Sequence, residues 1–275
     1  LNIQFIRNLN TRNYFNVYSS SYNALNELAN SYTNTNPAYF DGDKNLIIES
    51  GTDGFINDVL NPNSSLIVTT EDKKEINNIN ERKIRLTENN LIFASNFSFS
   101  KTTKNDIKDE TYYGFKSKIE SAGNFLSLIT KTSKQINSQN QSDEIFGVAY
   151  SQYVKAELEY IKHWDLNRNK VLAFRSFVGV AIPYGNSTSV PFSRSYFAGG
   201  SNDNRAWQPY SLGPGRVAAF NDYNEANLKI AASAEFRFNF FGQFNGALFV
   251  DAGNIWNVLD NVTDEKAVFT GLSSL

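Results

Sequence analysis

The strongest regularity along the chain is a period of two. In residues 226–240 (ANLKIAASAEFRFNF) one parity carries Leu228, Ile230, Ala232, Ala234, Phe236, Phe238 and Phe240. The other carries Asn227, Lys229, Ala231, Ser233, Glu235, Arg237 and Asn239. Such alternation marks a strand with one apolar and one polar face, and here it persists well beyond the roughly 5–6 residues of an ordinary strand. Residues 153–161 repeat it, with Val154, Ala156, Leu158 and Tyr160 opposite Lys155, Glu157 and Glu159. Phe115, Ser117 and Ile119 alternate with Lys116, Lys118 and Glu120. Residues 171–182 set Leu172, Phe174, Val178, Val180 and Ile182 against Arg175, and residues 243–256 turn Asn245 and Asp251 away from Phe244, Leu248 and Val250.

A soluble sandwich shows the same alternation, so strand length discriminates. Crossing an apolar band of about 25 Å at a tilt near 45° takes roughly 9–11 residues, which these segments reach or exceed. The connections also alternate in length. Phe241-Gly242 is a tight turn and residues 164–169 (WDLNRN) a short one, whereas residues 131–144 and 183–225 are long and rich in Asn, Ser and Gly. Short turns at one rim and long loops at the other are the outer-membrane arrangement. The predicted fold is therefore all-β, a transmembrane antiparallel β-barrel portion over residues 1–275. Before residue 88 the pattern is weaker: residues 1–7, 13–19 and 65–70 are strand candidates, and residues 71–85 read as a charged loop or a short helix.

Composition narrows the function. Aromatics reach 14% while mean hydropathy is −0.41, as expected of strands with one greasy and one wet face. An AT-rich genome inflates Asn, Lys, Ile, Phe and Tyr too, so the period carries the argument. A net charge of −2 argues against a nucleic-acid partner, because phosphate binding needs a basic surplus. The absence of Cys excludes disulfides, thiolate zinc and a Cys nucleophile, and the single His163 excludes a multi-His metal site. No cofactor or metal is expected. No apolar run approaches the roughly 18 residues of a transmembrane helix. With no Met and no signal-peptide pattern, the chain reads as a mature product or a fragment.

Residues 195–215 (SYFAGGSNDNRAWQPYSLGPG) place Gly199-Gly200 before Asn204-Arg205-Ala206-Trp207, and Gly213-Pro214-Gly215 after it. This segment resembles the sixth extracellular loop of the BamA/TamA superfamily of outer-membrane insertases, where a glycine pair leads to an Arg-Gly-aromatic motif that folds back into the barrel. LFVDAGNIW (residues 248–256) resembles the strand with the lumenal aspartate, and SAEFRF (residues 233–238) the preceding strand with a lumenal glutamate. The wording around Arg205 is most similar to the TamA-like lipoprotein branch, TamL. The resemblance is detailed over residues 191–256 and general over residues 88–182. Ala206 stands where the family has Gly. The family template implies a sixteen-stranded barrel preceded by POTRA domains. No POTRA-like pattern occurs here, and about three closing strands would follow residue 275, so an incomplete portion of the barrel is expected.

What the resemblance implies is an insertase or translocation component in the bacterial outer membrane. Its partners would be outer-membrane lipid, nascent outer-membrane proteins or lipoproteins, and other envelope subunits. Within it, residues 183–225 would form the long extracellular loop folded into the lumen. Glu235 lies six residues before Phe241 and Asp251 nine after Gly242, an offset of three residues, or roughly 10 Å along the strand. Arg205 is expected to bridge these carboxylates, or to bond one while feeling the other's field, because its rigid fork of donors suits them.

Three alternatives stay open. A two-partner-secretion-type pore or an uptake channel shares the barrel. A barrel-bearing outer-membrane lipase needs a base, and His163 sits beside Trp164 as an interfacial aromatic would. No G-x-S-x-G elbow is present, and Glu157 and Glu159 read as a charge ladder with Lys155 and Arg175, so the protein is expected not to be an enzyme. A soluble β-sandwich binding module would bury its Phe-rich faces and need no detergent.

Overall fold

A computed structural model of the chain describes residues 2–6, 14–106, 109–133, 143–145, 147–166, 169–217, 224–262 and 264–274. Two compact units emerge, one of residues 1–6, 90–219 and 223–275, the other of residues 7–89 and 220–222.

The first unit is an antiparallel sheet. Its strands are β1 (Asn2–Ile6), β2 (Asn90–Thr102), β3 (Tyr112–Ala122), β6 (Tyr153–Asp165), β7 (Lys170–Pro183), β8 (Leu228–Phe241) and β9 (Phe244–Trp256), in the spatial order β1-β2-β3-β6-β7-β8-β9. A separate two-residue ladder joins β4 (Glu144–Ile145) to β5 (Val148–Ala149). Apart from β1 the six strands of this sheet run for 11 to 14 residues, long enough to cross a bilayer core. The register sorts them by parity. On one face Lys116 stands opposite Glu159, Lys118 opposite Glu157 and Glu120 opposite Lys155. On the other, Phe97 stands opposite Ile119, Leu158 opposite Val178 and Ala234 opposite Val250. That second face leaves its large side chains uncovered, Phe97 being 71% exposed. No described helix is long and apolar enough to cross a membrane.

Connections differ sharply between the rims. β6 reaches Asp165, so the turn expected over residues 164–169 shrinks to 166–169. With residues 242–243 and 103–111 it makes one rim. The other rim carries residues 184–227 and the β3–β4 connection, which opens with helix α5 (Asn124–Ser133). Of the loop expected over residues 131–144, residues 134–142 lie outside the described set.

The N-terminal third corrects the sequence reading. Among its described residues only Asn2–Ile6 is a strand, while Leu1, Arg7 and Asn13 lie outside that set. The chain then builds α1 (Tyr14–Val17), α2 (Ser19–Ser31), α3 (Ser50–Leu60) and α4 (Thr70–Thr87). Residues 14–19 and 65–70 of the expected strands are thus not strands, and the expectation of one all-β portion over residues 1–275 gives way to a sheet unit and a helical unit. Residues 71–85 take the helical option inside α4. The Thr69 hydroxyl accepts from the Asp72 amide at 3.1 Å, and Glu71 and Asp72 sit in the positive first turn. Leu25, Ala29, Leu46, Phe55, Ile56 and Ile76 form its buried core. Each of these helices hides one stripe and wets the other, the ordinary solution for a unit folded in water.

Candidate functional site

The residues joining β7 to β8 fold over the polar face of the sheet. After Pro191 a 3-10 turn (Phe192–Arg194) leads to Tyr196, whose backbone exchanges hydrogen bonds of 2.8 and 2.9 Å with Ala226. Gly199 follows with φ 100, a backbone region L side chains avoid, and an added Cβ would stand 2.1 Å from the Gln208 carbonyl. The Gly200 amide donates to the Trp207 carbonyl at 2.8 Å and the Trp207 amide to the Asn204 carbonyl at 3.1 Å. This tight tip holds Arg205 toward the sheet.

Arg205 meets both predicted carboxylates. Its amide and Nε donate to Asp251 Oδ2 at 3.1 and 2.9 Å, its Nη2 to Asp251 Oδ1 at 2.8 Å, and its Nη1 to Glu235. The guanidinium also lies 3.7 Å from the centroid of the Phe249 ring. Fork geometry, charge and aromatic stacking therefore converge on one group. The Asp251 carboxylate raises the Arg205 pKa further above its already high ordinary value, so the group stays charged. Arg237 Nε holds the second Glu235 oxygen at 2.6 Å.

The register corrects the expected offset. Glu235 pairs with Phe249 and Ser233 with Asp251, so the carboxylates stand two residues apart along the ladder, not three. The turn falls on Gly242 and Gln243, not on Phe241 and Gly242 as expected, which alone would leave an offset of one, and a register shift between Asn239 and Phe241 brings it to two. Two residues is roughly 7 Å on the strand axis, within the reach of one guanidinium.

The other motif residues part company. Asn204 is buried beside Arg205, whereas Ala206 and Trp207 are exposed at the tip. Gly213, Pro214 and Gly215 do not join the tip at all. They lie against the end of β9, where the Gly215 amide donates to the Ile255 carbonyl at 2.7 Å and Asn254 Nδ2 donates to the Gly215 carbonyl at 2.7 Å.

Several anchors escape sequence reasoning because they bind loop backbone or distant strands. Lys229 Nζ donates to Asp203 and to the Phe197 carbonyl, both at 2.8 Å. Arg175 donates to the Asn202 carbonyl at 2.8 Å and to Glu159 at 2.7 Å. Tyr196 donates to Glu157 at 3.1 Å, and burial and that carboxylate push the phenol above its ordinary range. Arg194 reaches Gln4 at 3.0 Å and Glu120 at 3.5 Å. The available signal was parity: Lys229, Arg175 and Glu120 all fall on polar positions of their strands. A cavity of about 220 Å³ remains between loop and sheet, lined by Lys155, Glu157, Arg175, Tyr196 and Lys229 among others. Glu157 pairs with Lys155 at 3.1 Å, so these charges neutralise one another. No group of three or more metal-ligating side chains occurs among the described residues. His163 lies within β6 on the polar face and stacks on Tyr112 at 4.4 Å, rather than joining a girdle on the apolar side.

The Omp85 superfamily domain matches residues 8–273 of this chain. The chain belongs to the Omp85 superfamily. Its setting is accordingly the bacterial outer membrane, and its long two-faced strands are those of an Omp85 β-barrel. Over 116 residues it is 28% identical to the outer membrane protein assembly factor BamA of Neisseria meningitidis serogroup B, a match covering 38% of this chain and 14% of that protein. Among solved structures, BamA from Haemophilus ducreyi lacking POTRA domains 1–3 aligns with a TM-score of 0.33 and 18% identity, over 63% of this chain and 43% of the other. In this Omp85 chain the polar face of the sheet faces the loop, and the apolar face stays uncovered.

Proposed function

We propose that the chain is the wall and plugging loop of an outer-membrane insertase or translocation component whose clients are nascent outer-membrane proteins or surface lipoproteins. The observation that carries this reading is the Arg205 clamp. One loop residue ties together two adjacent strands, β8 and β9, through Glu235 and Asp251. An unpaired strand edge in lipid costs several kcal/mol per unsatisfied backbone group, so a barrel that admits clients must open its wall without losing its plug. A loop bolted to the polar face keeps the interior filled and stiffens the strands it crosses. The likeness of the loop to the TamL branch and a sixteen-strand closure belong to the same proposal. The role is non-enzymatic: the carboxylates of the polar face are held by cations, and the His163 ring is stacked on Tyr112.

The test is client assembly in proteoliposomes, followed by protease protection of the inserted client. Arg205→Ala should slow insertion strongly, and Arg205→Lys should recover only part, since an ammonium lacks the bidentate fork. Raised ion conductance with undiminished insertion would point instead to a secretion or uptake pore in which the loop merely gates flow.

A further inference from the structure

Helix α5 is amphipathic in the reverse sense for a water-folded protein. Its inward side carries the buried polar residues Ser127 and Thr130 beside Leu126, with the Thr130 hydroxyl 3.3 Å from the Tyr150 phenol oxygen. Its outward side carries Phe125, Leu128 and Ile129, spaced i, i+3, i+4 on one stripe and 54%, 65% and 43% exposed. In water such a stripe belongs in a core. The Phe125 ring stacks on Phe93 with centroids 5.2 Å apart, and Phe93 shares the apolar parity of Phe97 and Phe99 on β2. The greasy stripe is therefore continuous with the apolar face of the sheet and carries it past the strand ends. Asn124 marks the polar edge of the patch, accepting from the Tyr184 hydroxyl at 2.6 Å.

We infer that α5 is an interfacial helix, lying at the headgroup–acyl boundary on its own rim of the sheet with Phe125, Leu128 and Ile129 among the acyl chains. The inference rests on the reading that the apolar face of the sheet meets lipid. Short amphipathic helices bind such boundaries through one apolar stripe, and their depth is shallow. Here the helix rises directly from β3 and is pinned through Thr130, so it marks how far the rim of the wall sits from the bilayer surface.

The chain contains no Cys, so single-cysteine variants take one label each. Ile129→Cys, Phe97→Cys and Ser98→Cys would carry an environment-sensitive fluorophore in the protein reconstituted into phosphatidylcholine vesicles. Nitroxide lipids labelled near the headgroup or deep in the chain serve as quenchers. Phe97 and Ser98 are neighbours on opposite faces of β2 and calibrate the measurement. The expected result is quenching at Ile129 several-fold above Ser98, stronger with the shallow nitroxide than with the deep one. Quenching at Ile129 no greater than at Ser98, while Phe97 responds, would overturn the interfacial helix alone. A blue-shifted but unquenched label at Ile129 would do so too, by showing the stripe covered by protein. Equal response at Phe97 and Ser98 would overturn the lipid-facing wall itself, and the helix assignment with it.

Discussion

The two units of this chain are built inside out with respect to each other. In the helical unit Leu25, Phe55 and Ile76 are fully buried, while α4 turns Glu71, Lys74 and Glu75 outward. In the sheet the Glu120 carboxylate is fully buried on Tyr153 and Arg194, while Phe97, Leu248 and Val250 are largely uncovered. The same alphabet thus follows two rules. Water drives the helices together by hiding apolar surface. In the wall, backbone pairing and paired charges on the polar face hold the strands, and the proposed contact with lipid would remove the apolar drive.

The largest test of this contrast is a core truncation. Phe55→Ala should cost about 3–5 kcal/mol, because it leaves a cavity in a packed interior. Phe97→Ala, on the open face, should cost clearly less, since no protein cavity remains behind. Denaturant unfolding of the vesicle-reconstituted protein, followed separately in each unit, compares them, and equal losses would break the inside-out picture. Next comes charge placement. Ala234→Arg, mid-strand on the apolar face, should cost roughly 2–4 kcal/mol in liposomes, whereas Ser233→Arg, one residue over on the polar face, should be far milder. Similar costs at both positions would mean that the faces are misassigned.

Arg205→Ala should follow, at about 2–3 kcal/mol, below the 3–5 of a fully buried pair because the side chain keeps 23% of its surface exposed. Limited proteolysis of the loop should accelerate in parallel. The smallest effect concerns pH in the helical unit. Partial burial raises the carboxyl group of Glu81 above its ordinary value of 4.5. The folded state then favours the proton, so its contribution is full below 4.5 and declines as pH rises through the raised value. Glu81→Gln should flatten this part of the stability–pH profile by less than about 1 kcal/mol.

The contrast also explains what the sequence discloses. A two-sided strand repeats its signal at every second residue, so β8 and the charged side of β6 are legible at once. The clamp is legible through the resemblance of the loop and its two strands to the BamA/TamA superfamily, with Glu235 and Asp251 on polar parity. The register shift by Asn239 is invisible, since no residue type there demands it, and it changes the expected offset. Phe249, beneath the guanidinium, hides in an aromatic-rich run although its parity matches Asp251. The helices fail for a different reason. In α2 the buried stripe consists of Ser21, Leu25 and Ala29 among Asn and Ser, too small and sparse to stand out. The β-branched run at residues 65–70 suggests a strand, yet Leu66 and Val68 pack at the helical core with no partner strand, while Ile67 stays in solvent.

The two-residue stagger of Glu235 and Asp251 makes the loop a reader of strand pairing. A slip of β9 along β8 by one residue would send Asp251 to the lipid side, because side chains alternate faces. A slip by two would either stretch the carboxylates beyond one guanidinium or bring them level, and neither matches the fork and the Phe249 ring together. The tip can therefore seat only on a hairpin that has zipped in its proper register. Docking of Arg205 becomes a checkpoint on the assembly of the very wall it reinforces.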